Sequence, residues 1–156
     1  MKKVLLDTNI IIHREATRIL NQDIGILFKW LEKGHYSKCV HPITIQEIQK
    51  NSNSDAANVI LTKLDSYEQL KIASPLQPDV VDVSKRYDKT PNDLNDTALL
   101  NEVFLNRVDF LITEDKKIHQ KAEALGIQDK VFKIDSRLNI FFTPAYLLTP
   151  RAISRS

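Results

Sequence analysis

Glycine is scarce in this chain, with three glycines among 156 residues, at Gly25, Gly34 and Gly126. A P-loop and a G-x-G-x-x-G turn each need several glycines within a short span, so both phosphate-binding loops are excluded. If the protein handles phosphate, it does so without a loop of glycine amides. A metal ion is then the remaining candidate for that task.

Cysteine and long apolar runs are scarce as well. Cys39 is the single cysteine, so the chain cannot form an internal disulfide, which agrees with a reducing cytoplasm. No apolar run approaches the roughly 20 residues of a membrane-spanning helix. Asp7 also interrupts the first apolar run too early for a signal peptide. We therefore predict a cytoplasmic protein with no membrane role.

The remaining composition is ordinary for a globular protein. Hydrophobic residues make up 42% and charged residues 27%, and 156 residues suffice for one domain with a sizeable core. The net charge of +2 permits a polyanionic partner but does not require one. We assign residues 1–143 to one domain and 144–156 to a tail, which we expect to begin a linker to a further domain.

Short apolar runs alternate with segments of helical periodicity. The runs typical of buried parallel strands are Lys3–Leu6, Tyr36–His41, Gln69–Ala73, Val108–Ile112 and Val131–Ile134. Helical spacing marks segments near 24–31, 59–67, 80–87, 99–104 and 115–125, and Gly34 and Gly126 are predicted to end two of these helices. The alternation predicts an α/β protein: a three-layer α/β/α sandwich with a central, mostly parallel sheet of about five strands.

Four acidic residues stand at positions that such a fold brings together. Asp7 closes the first apolar run, Glu47 follows the second, Asp96 lies within a helical pattern, and Asp115 comes shortly after the fourth run. Open α/β sheets bind ligands in the crevice at the carboxyl ends of their strands. Like charges gathered there raise one another's pKa unless a cation intervenes, and Mg²⁺ and Mn²⁺ prefer oxygen ligands. The pattern predicts a metal site able to act on a phosphate.

Three of the four acids also have a purely structural explanation. Asp7 suits a helix N-cap, Asp115 can cap the following helix, and Thr44-x-x-Glu47 fits a capping box. Each explanation is adequate alone. Because the predicted fold brings all four acids to one edge of the sheet, we favour a shared site.

Helix chemistry separates Asp93 from Asp96, which share one helical face. Thr90 and Pro91 fit an N-cap and the first helical position, which places Asp93 in the first turn, where an acid is favoured. Asp96 lies a turn later, where the helix dipole no longer accounts for it. We therefore predict Asp96 as the ligand and keep Asp93 as an auxiliary.

The order of the acids and their neighbours resembles the bacterial PIN-domain nucleases over essentially the whole chain. The likeness rests on four segments: Leu5-Leu6-Asp7-Thr8-Asn9, Thr44-Ile45-Gln46-Glu47-Ile48, Asn95-Asp96-Thr97-Ala98-Leu99 and Leu111-Ile112-Thr113-Glu114-Asp115. The resemblance implies that the metal-binding and catalytic acids are Asp7, Glu47, Asp96 and Asp115. It also implies that Asn9 and Thr113 support them.

The resemblance further implies an endoribonuclease that uses one or two Mg²⁺ or Mn²⁺ ions and leaves 5′-phosphate and 3′-hydroxyl ends. RNA is expected as the substrate more than DNA. Lys116, Lys117 and Lys121 follow the last acid and are predicted, weakly, to hold backbone phosphates, since a solvated helix face explains each of them as well. Three kinds of protein partner stay open: an antitoxin, a second copy of the chain, and a domain fused after the tail.

Two alternatives to a nuclease also stay open. Asp7 suits the nucleophile of a haloacid-dehalogenase-like phosphatase, although that enzyme type has a second Asp where this chain has Asn9. The other alternative is a catalytically inactive PIN-like module that binds nucleic acid or a protein.

Overall fold

A computed structural model describes residues 1–16, 22–51 and 53–134 of the protein. The strands in these ranges are β1 (Lys3–Leu6), β2 (Ser37–Val40), β3 (Glu68–Gln69), β4 (Phe110–Ile112) and β5 (Val131–Phe132). The helices are α1 (Thr8–Ala16), α2 (Gln22–Lys33), α3 (Pro42–Asn51), α4 (Ser54–Lys63), α5 (Pro78–Tyr87), α6 (Pro91–Phe104) and α7 (Lys116–Ala124). No helix in the described ranges is long and apolar enough to cross a membrane. The predicted tail, 144–156, lies outside the described residues.

The five strands form one parallel sheet in the order β3-β2-β1-β4-β5. In β1, Leu5 pairs with Cys39 of β2 on one side and with Leu111 of β4 on the other. The chain builds outward from β1 first in one direction and then in the other, so the order reverses between β1 and β4. Ligands of open α/β sheets bind at such a reversal, outside the carboxyl ends of the strands.

Helices cover both faces of the sheet. Along β1, Val4 and Leu6 join a core cluster with residues of α1, α2, α3 and α4, whereas Leu5 joins a second cluster with residues of α6 and α7. This division follows from the two-residue period of a strand, whose successive side chains point to opposite faces. The three-layer α/β/α sandwich with a central parallel sheet, predicted from the sequence, is confirmed.

The third apolar run, Gln69–Ala73, is a strand only at Gln69, so most of that prediction was wrong. The chain leaves the sheet after β3 and crosses α6, where Glu102 accepts hydrogen bonds from Ser74 N (2.9 Å) and Ser74 Oγ (2.6 Å). His41 Nε2 lies 3.0 Å from the same carboxylate, which is fully buried. Burial alone would raise the pKa of Glu102, but the hydrogen bonds from His41 and Ser74 and the charge of Arg107 outweigh it and hold the pKa at about 2.

The two helix-ending glycines have different roles. Gly126 has φ of 73°, and Ile127 N donates to Ala122 O at 2.9 Å, which is the Schellman arrangement expected after α7. Gly34 directly follows Lys33, the last residue of α2, as predicted, although the left-handed residue of this turn is His35, with φ of 57°. Gly34 is required for another reason: a Cβ there would collide with the ring of the buried Tyr36, lying 2.7 Å from its Cδ2.

Candidate active site

Asp7 and Thr113 join the two strands on either side of the reversal in strand order. Asp7 follows β1 and is 6% exposed, and its backbone N–H donates to Ile112 O at the end of β4 (3.1 Å). Thr113, which follows β4, donates from Oγ1 to Asp7 Oδ2 at 2.6 Å. Burial raises the pKa of Asp7, the bond from Thr113 opposes this rise, and the charges of Asp115 and Glu47 add to it.

Glu47 is tied to the residue next to Asp7. Thr8 Oγ1 donates to Glu47 Oε1 at 2.7 Å, and Thr8 Oγ1 also lies 2.9 Å from Thr44 Oγ1. A hydroxyl has one proton, which Thr8 gives to Glu47, so Thr44 must be the donor to Thr8. Among the described residues nothing donates to the other oxygen of Glu47, Oε2. This carboxylate is therefore held by one oxygen with the other left available.

The capping box that was the structural alternative for Thr44 and Glu47 is not formed. Helix α3 begins two residues earlier, at Pro42, and the amides of Thr44 and Ile45 already donate to His41 O. The side chain of His41 accepts from Ile43 N at 3.0 Å through Nδ1, in the manner of an N-cap. Glu47 is thus free of capping, and the main structural explanation for an acid at this position is removed.

Asp96 is the acid whose carboxylate has the fewest hydrogen-bond donors among the described residues. It is half-buried on α6, and its carboxylate accepts no hydrogen bond from any described residue. Burial raises its pKa to about 7, together with the charges of Asp7 and Asp115 and a smaller effect of Glu47, while Lys121 opposes the rise. The negative charges of all three other predicted ligands thus act on Asp96 in the same direction.

Asp93 belongs to the start of α6. Its carboxylate accepts from the amides of Lys89 (2.9 Å) and Thr90 (3.2 Å), and Thr90 Oγ1 accepts from Asp93 N, which completes a capping box. The Lys89 amide contributes most, with further help from Lys117 and the Thr90 amide, to lowering the pKa of Asp93 to about 2. The capping role expected from the sequence is confirmed, and it occupies the carboxylate that was kept as an auxiliary.

Asp115 caps α7 with one oxygen. Its Oδ1 accepts from Lys117 N at 2.8 Å and from Ile118 N at 3.2 Å, and its own amide donates to Thr113 Oγ1 at 3.1 Å. Thr113 therefore connects Asp7 to Asp115 through a single hydroxyl. The ring of His119 lies against the same residue, with Nε2 2.9 Å from Thr113 O.

The remaining predicted site residues differ in their surroundings. Lys116 and Lys117 are exposed, and Lys117 Nζ lies 3.3 Å from Asp93 Oδ2. Asn9 is exposed in the first turn of α1, and its supporting role stays a prediction. Lys121 is fully buried, so the expectation that it holds a backbone phosphate was wrong.

Lys121 instead joins α7 to α6 and to the loop before it. Its Nζ donates to Asp88 Oδ1 (2.9 Å), to Thr97 Oγ1 (2.9 Å) and to the carbonyl oxygen of Asp93 (3.1 Å). An ammonium has three protons, and these contacts use all of them. Because Thr97 adjoins Asp96, this buried cation fixes the turn of α6 that carries the candidate ligand.

No family model matches the chain, and no curated protein matches it. A solved structure, the crystal structure of FitAcB from Neisseria gonorrhoeae, has a similar fold. The TM-score is 0.50, the sequence identity is 16%, and the match covers 83% of this chain and 96% of the other. What the two share is the fold. The likeness to this solved structure supports the α/β fold alone. The roles of the four acids rest on the contacts and motifs of this chain.

The chemistry of the four acids fits a divalent cation in donor type and charge. All four offer carboxylate oxygens, the ligands that Mg²⁺ and Mn²⁺ prefer, and after burial the negative charges of Asp7 and Asp115 do most to raise the pKa of Asp96. In the described parts of the chain, however, no three His, Cys, Asp or Glu side chains are grouped closely enough to hold a metal ion as they stand. Asp115 and Glu47 each have one oxygen engaged elsewhere, so each has its second oxygen to offer to a metal ion.

Three contributors to this site were not found from the sequence. Thr8 and Thr44 orient Glu47, and Lys121 orients the turn that bears Asp96. Thr8 stands directly after the first acid, which was a visible signal. The contacts of Thr44 and Lys121 depend on partners far away in the chain, so the sequence carried no local sign of them.

Proposed function

We propose that the protein is a divalent-metal-dependent nuclease that hydrolyses phosphodiester bonds with Asp7, Glu47, Asp96 and Asp115. One observation supports the proposal: the half-buried carboxylate of Asp96 accepts no hydrogen bond from the described residues, and the charges of Asp7, Asp115 and Glu47 help burial to raise its pKa. Unpaired charge in such surroundings is unfavourable unless a cation is bound. A structural role would have supplied the carboxylate with donors, as it does for Asp93.

Each acid has a part in this proposal that follows from its contacts. Asp7, held by Thr113, and Asp96 are the central ligands, and Asp115 completes the site with the oxygen that does not cap α7. Glu47, fixed through Oε1, directs Oε2 at a second ion or at the attacking water. One or two bound Mg²⁺ or Mn²⁺ ions supply an activated water and neutralise charge on the phosphoryl oxygens.

The finer features of the function come from the motif resemblance. RNA as the preferred substrate, cutting within the strand, and products with 5′-phosphate and 3′-hydroxyl ends are proposals on that basis. An antitoxin partner, a second copy of the chain and a fused C-terminal domain stay predictions, as does a cytoplasmic location.

The direct test compares the parent chain with Asp7→Asn and Asp96→Asn on single-stranded RNA and DNA of the same sequence, in Mg²⁺, Mn²⁺ or EDTA. Asp82→Asn is the matched control, because Asp82 is an exposed acid of α5. We expect the parent and the control to cut RNA in either metal and to be inactive in EDTA. Each site variant should lose more than about 100-fold in rate while keeping its circular dichroism spectrum.

Other outcomes identify the alternatives. RNA that is bound but left intact in Mn²⁺ would indicate an inactive binding module. A phosphorylated Asp7, trapped and located by mass spectrometry, would indicate a phosphatase of the haloacid-dehalogenase kind. Cutting that persists in EDTA, or in both site variants, would refute a metal-dependent site built on these acids.

A further inference from the structure

A groove of about 380 Å³ lies between α5 and the first turn of α6. We call it the α5–α6 groove, and its apolar lining includes Leu76, Val81, Pro91 and Leu94. Leu94 is 53% exposed and Leu76 is 41% exposed, although most large apolar residues of the described chain are buried. Exposed apolar side chains grouped in a concavity with a polar rim are typical of a binding site.

The free charge of this groove is positive. Lys85 and Lys89 line it, both are exposed, and within the described ranges neither ammonium has an ion-pair partner. The one acid of the lining is Asp88, whose carboxylate is engaged internally by Lys121 (2.9 Å) and Ser84 (2.7 Å). The groove therefore presents two unpaired lysines beside an apolar floor, which complements a ligand with an anionic backbone and flat, weakly polar groups.

The groove lies next to the candidate active site. Leu94 and Asp96 are both in the first two turns of α6, and two residues of helix rise about 3 Å and turn about 200°. Leu94 therefore lies on nearly the opposite side of α6 from Asp96. A strand that reaches both residues has to pass about one helix diameter, roughly 10 Å.

We propose that the α5–α6 groove binds the unpaired nucleotides of a single-stranded nucleic acid on one side of the bond that is cut. The bases lie against Leu76 and Leu94, and Lys85 and Lys89 hold the flanking phosphates. Sites for single strands combine a cationic groove with a surface for the faces of the bases, and phosphate contacts position the strand without reading its sequence. This proposal rests on the nuclease function proposed above and assigns part of its substrate path.

The size of the groove favours nucleotides over a protein partner. A volume of about 380 Å³ is at the lower end of small-ligand sites and accommodates one or two nucleotides. A helix of a partner protein is about 10 Å wide and buries a row of side chains, which needs a longer groove. The unpaired lysines add attraction for a polyanion.

The test measures binding of fluorescently labelled oligouridylate in EDTA, where a metal-dependent enzyme does not cut. The variants are Lys85→Gln/Lys89→Gln, which removes the charges, and Leu94→Ser, which removes the floor at an exposed position. Lys29→Gln/Lys50→Gln is the matched control, because these exposed lysines are on α2 and α3, on the opposite face of the sheet. Melting temperatures of all variants show whether folding is retained.

We expect the groove-lysine variant to bind about tenfold more weakly at 0.1 M salt, and Leu94→Ser about threefold to tenfold more weakly. The slope of log Kd against log salt should fall by about 1.4 in the lysine variant, since each phosphate contact with a single strand contributes about 0.7. The control should bind as the parent does. If both variants bind normally, or if only the lysine variant loses affinity, nucleotide binding in the α5–α6 groove is refuted. Neither result bears on the proposed nuclease site. Normal groove binding by a chain that cuts nothing would instead refute the catalytic proposal alone.

Discussion

Replacing Asp96 with Asn should stabilise the metal-free protein at pH 8 and have little effect at pH 4. The pKa of Asp96 is about 7 in the folded protein, against 3.8 for an ordinary Asp, because burial and the charges of Asp7 and Asp115 disfavour the ionised form, despite the attraction of Lys121. The folded state therefore holds this proton more tightly than the unfolded state does. Between about pH 4 and pH 7 the unfolded state loses this proton while the folded state keeps it, so Asp96 lowers the free energy of unfolding progressively over that range, and Asn removes that cost.

The size of the effect follows from the same displacement of the pKa. A rise from 3.8 to about 7 corresponds to about 4 kcal/mol if all of it were transferred to the free energy of unfolding. Asp96 is only half-buried and water screens part of the repulsion, so we expect a gain of about 1–2 kcal/mol at pH 8. In a chain of this length, that gain raises the melting temperature by about 3–6 °C.

The assay is thermal unfolding followed by circular dichroism, in EDTA, at pH 4 and pH 8. The exposed Asp82→Asn serves as the control and should shift the melting temperature by less than about 1 °C. Addition of Mn²⁺ at pH 8 should raise the melting temperature of the parent more than that of Asp96→Asn, since the variant lacks one ligand. Equal melting temperatures for parent and variant in EDTA at pH 8 would refute the crowding of the four carboxylates.

Three further predictions concern stability and can be checked by urea denaturation. Lys121→Met should cost about 3–5 kcal/mol by leaving the buried Asp88 unpaired, and adding Asp88→Asn should restore part of it; no restoration would contradict the pairing. Gly34→Ala should cost about 1–3 kcal/mol because of the collision with Tyr36, and a neutral result would show that the ring moves aside. Thr113→Val should cost about 1–3 kcal/mol by removing a hydrogen bond to a buried carboxylate, unless that carboxylate is protonated at the pH of the assay.

Most of the strands were accessible from the sequence because they depend on local patterns, whereas the ligand set stays a prediction. Apolar runs with the length of a strand mark the parallel sheet, and Asp7 and Asp115 come soon after β1 and β4. The role of Asp93 could be distinguished from that of Asp96 because Thr90 and Pro91 indicate where α6 begins. These features need no knowledge of distant partners.

The errors concern residues whose type is unusual for the structural role that they have, such as a histidine at an N-cap or a lysine in the core. His41 rather than a Ser or Thr caps α3, so the capping box that was the structural alternative for Thr44 and Glu47 is absent. Pro42 at the first helical position was the signal that would have corrected this. The burial of Lys121 could not be foreseen, because it depends on acceptors supplied by two other segments of the fold.

Because the sheet grows outward from its first strand, the four candidate ligands are spread along the chain at positions 7, 47, 96 and 115. During synthesis at roughly 5–20 residues per second, several seconds pass between the appearance of the first acid and that of the last. Throughout that interval the nascent polypeptide lacks at least one candidate ligand, and a proteolytic fragment without either end of this span lacks one as well. If the proposed nuclease function is correct, the chain gains it only when the domain is nearly finished.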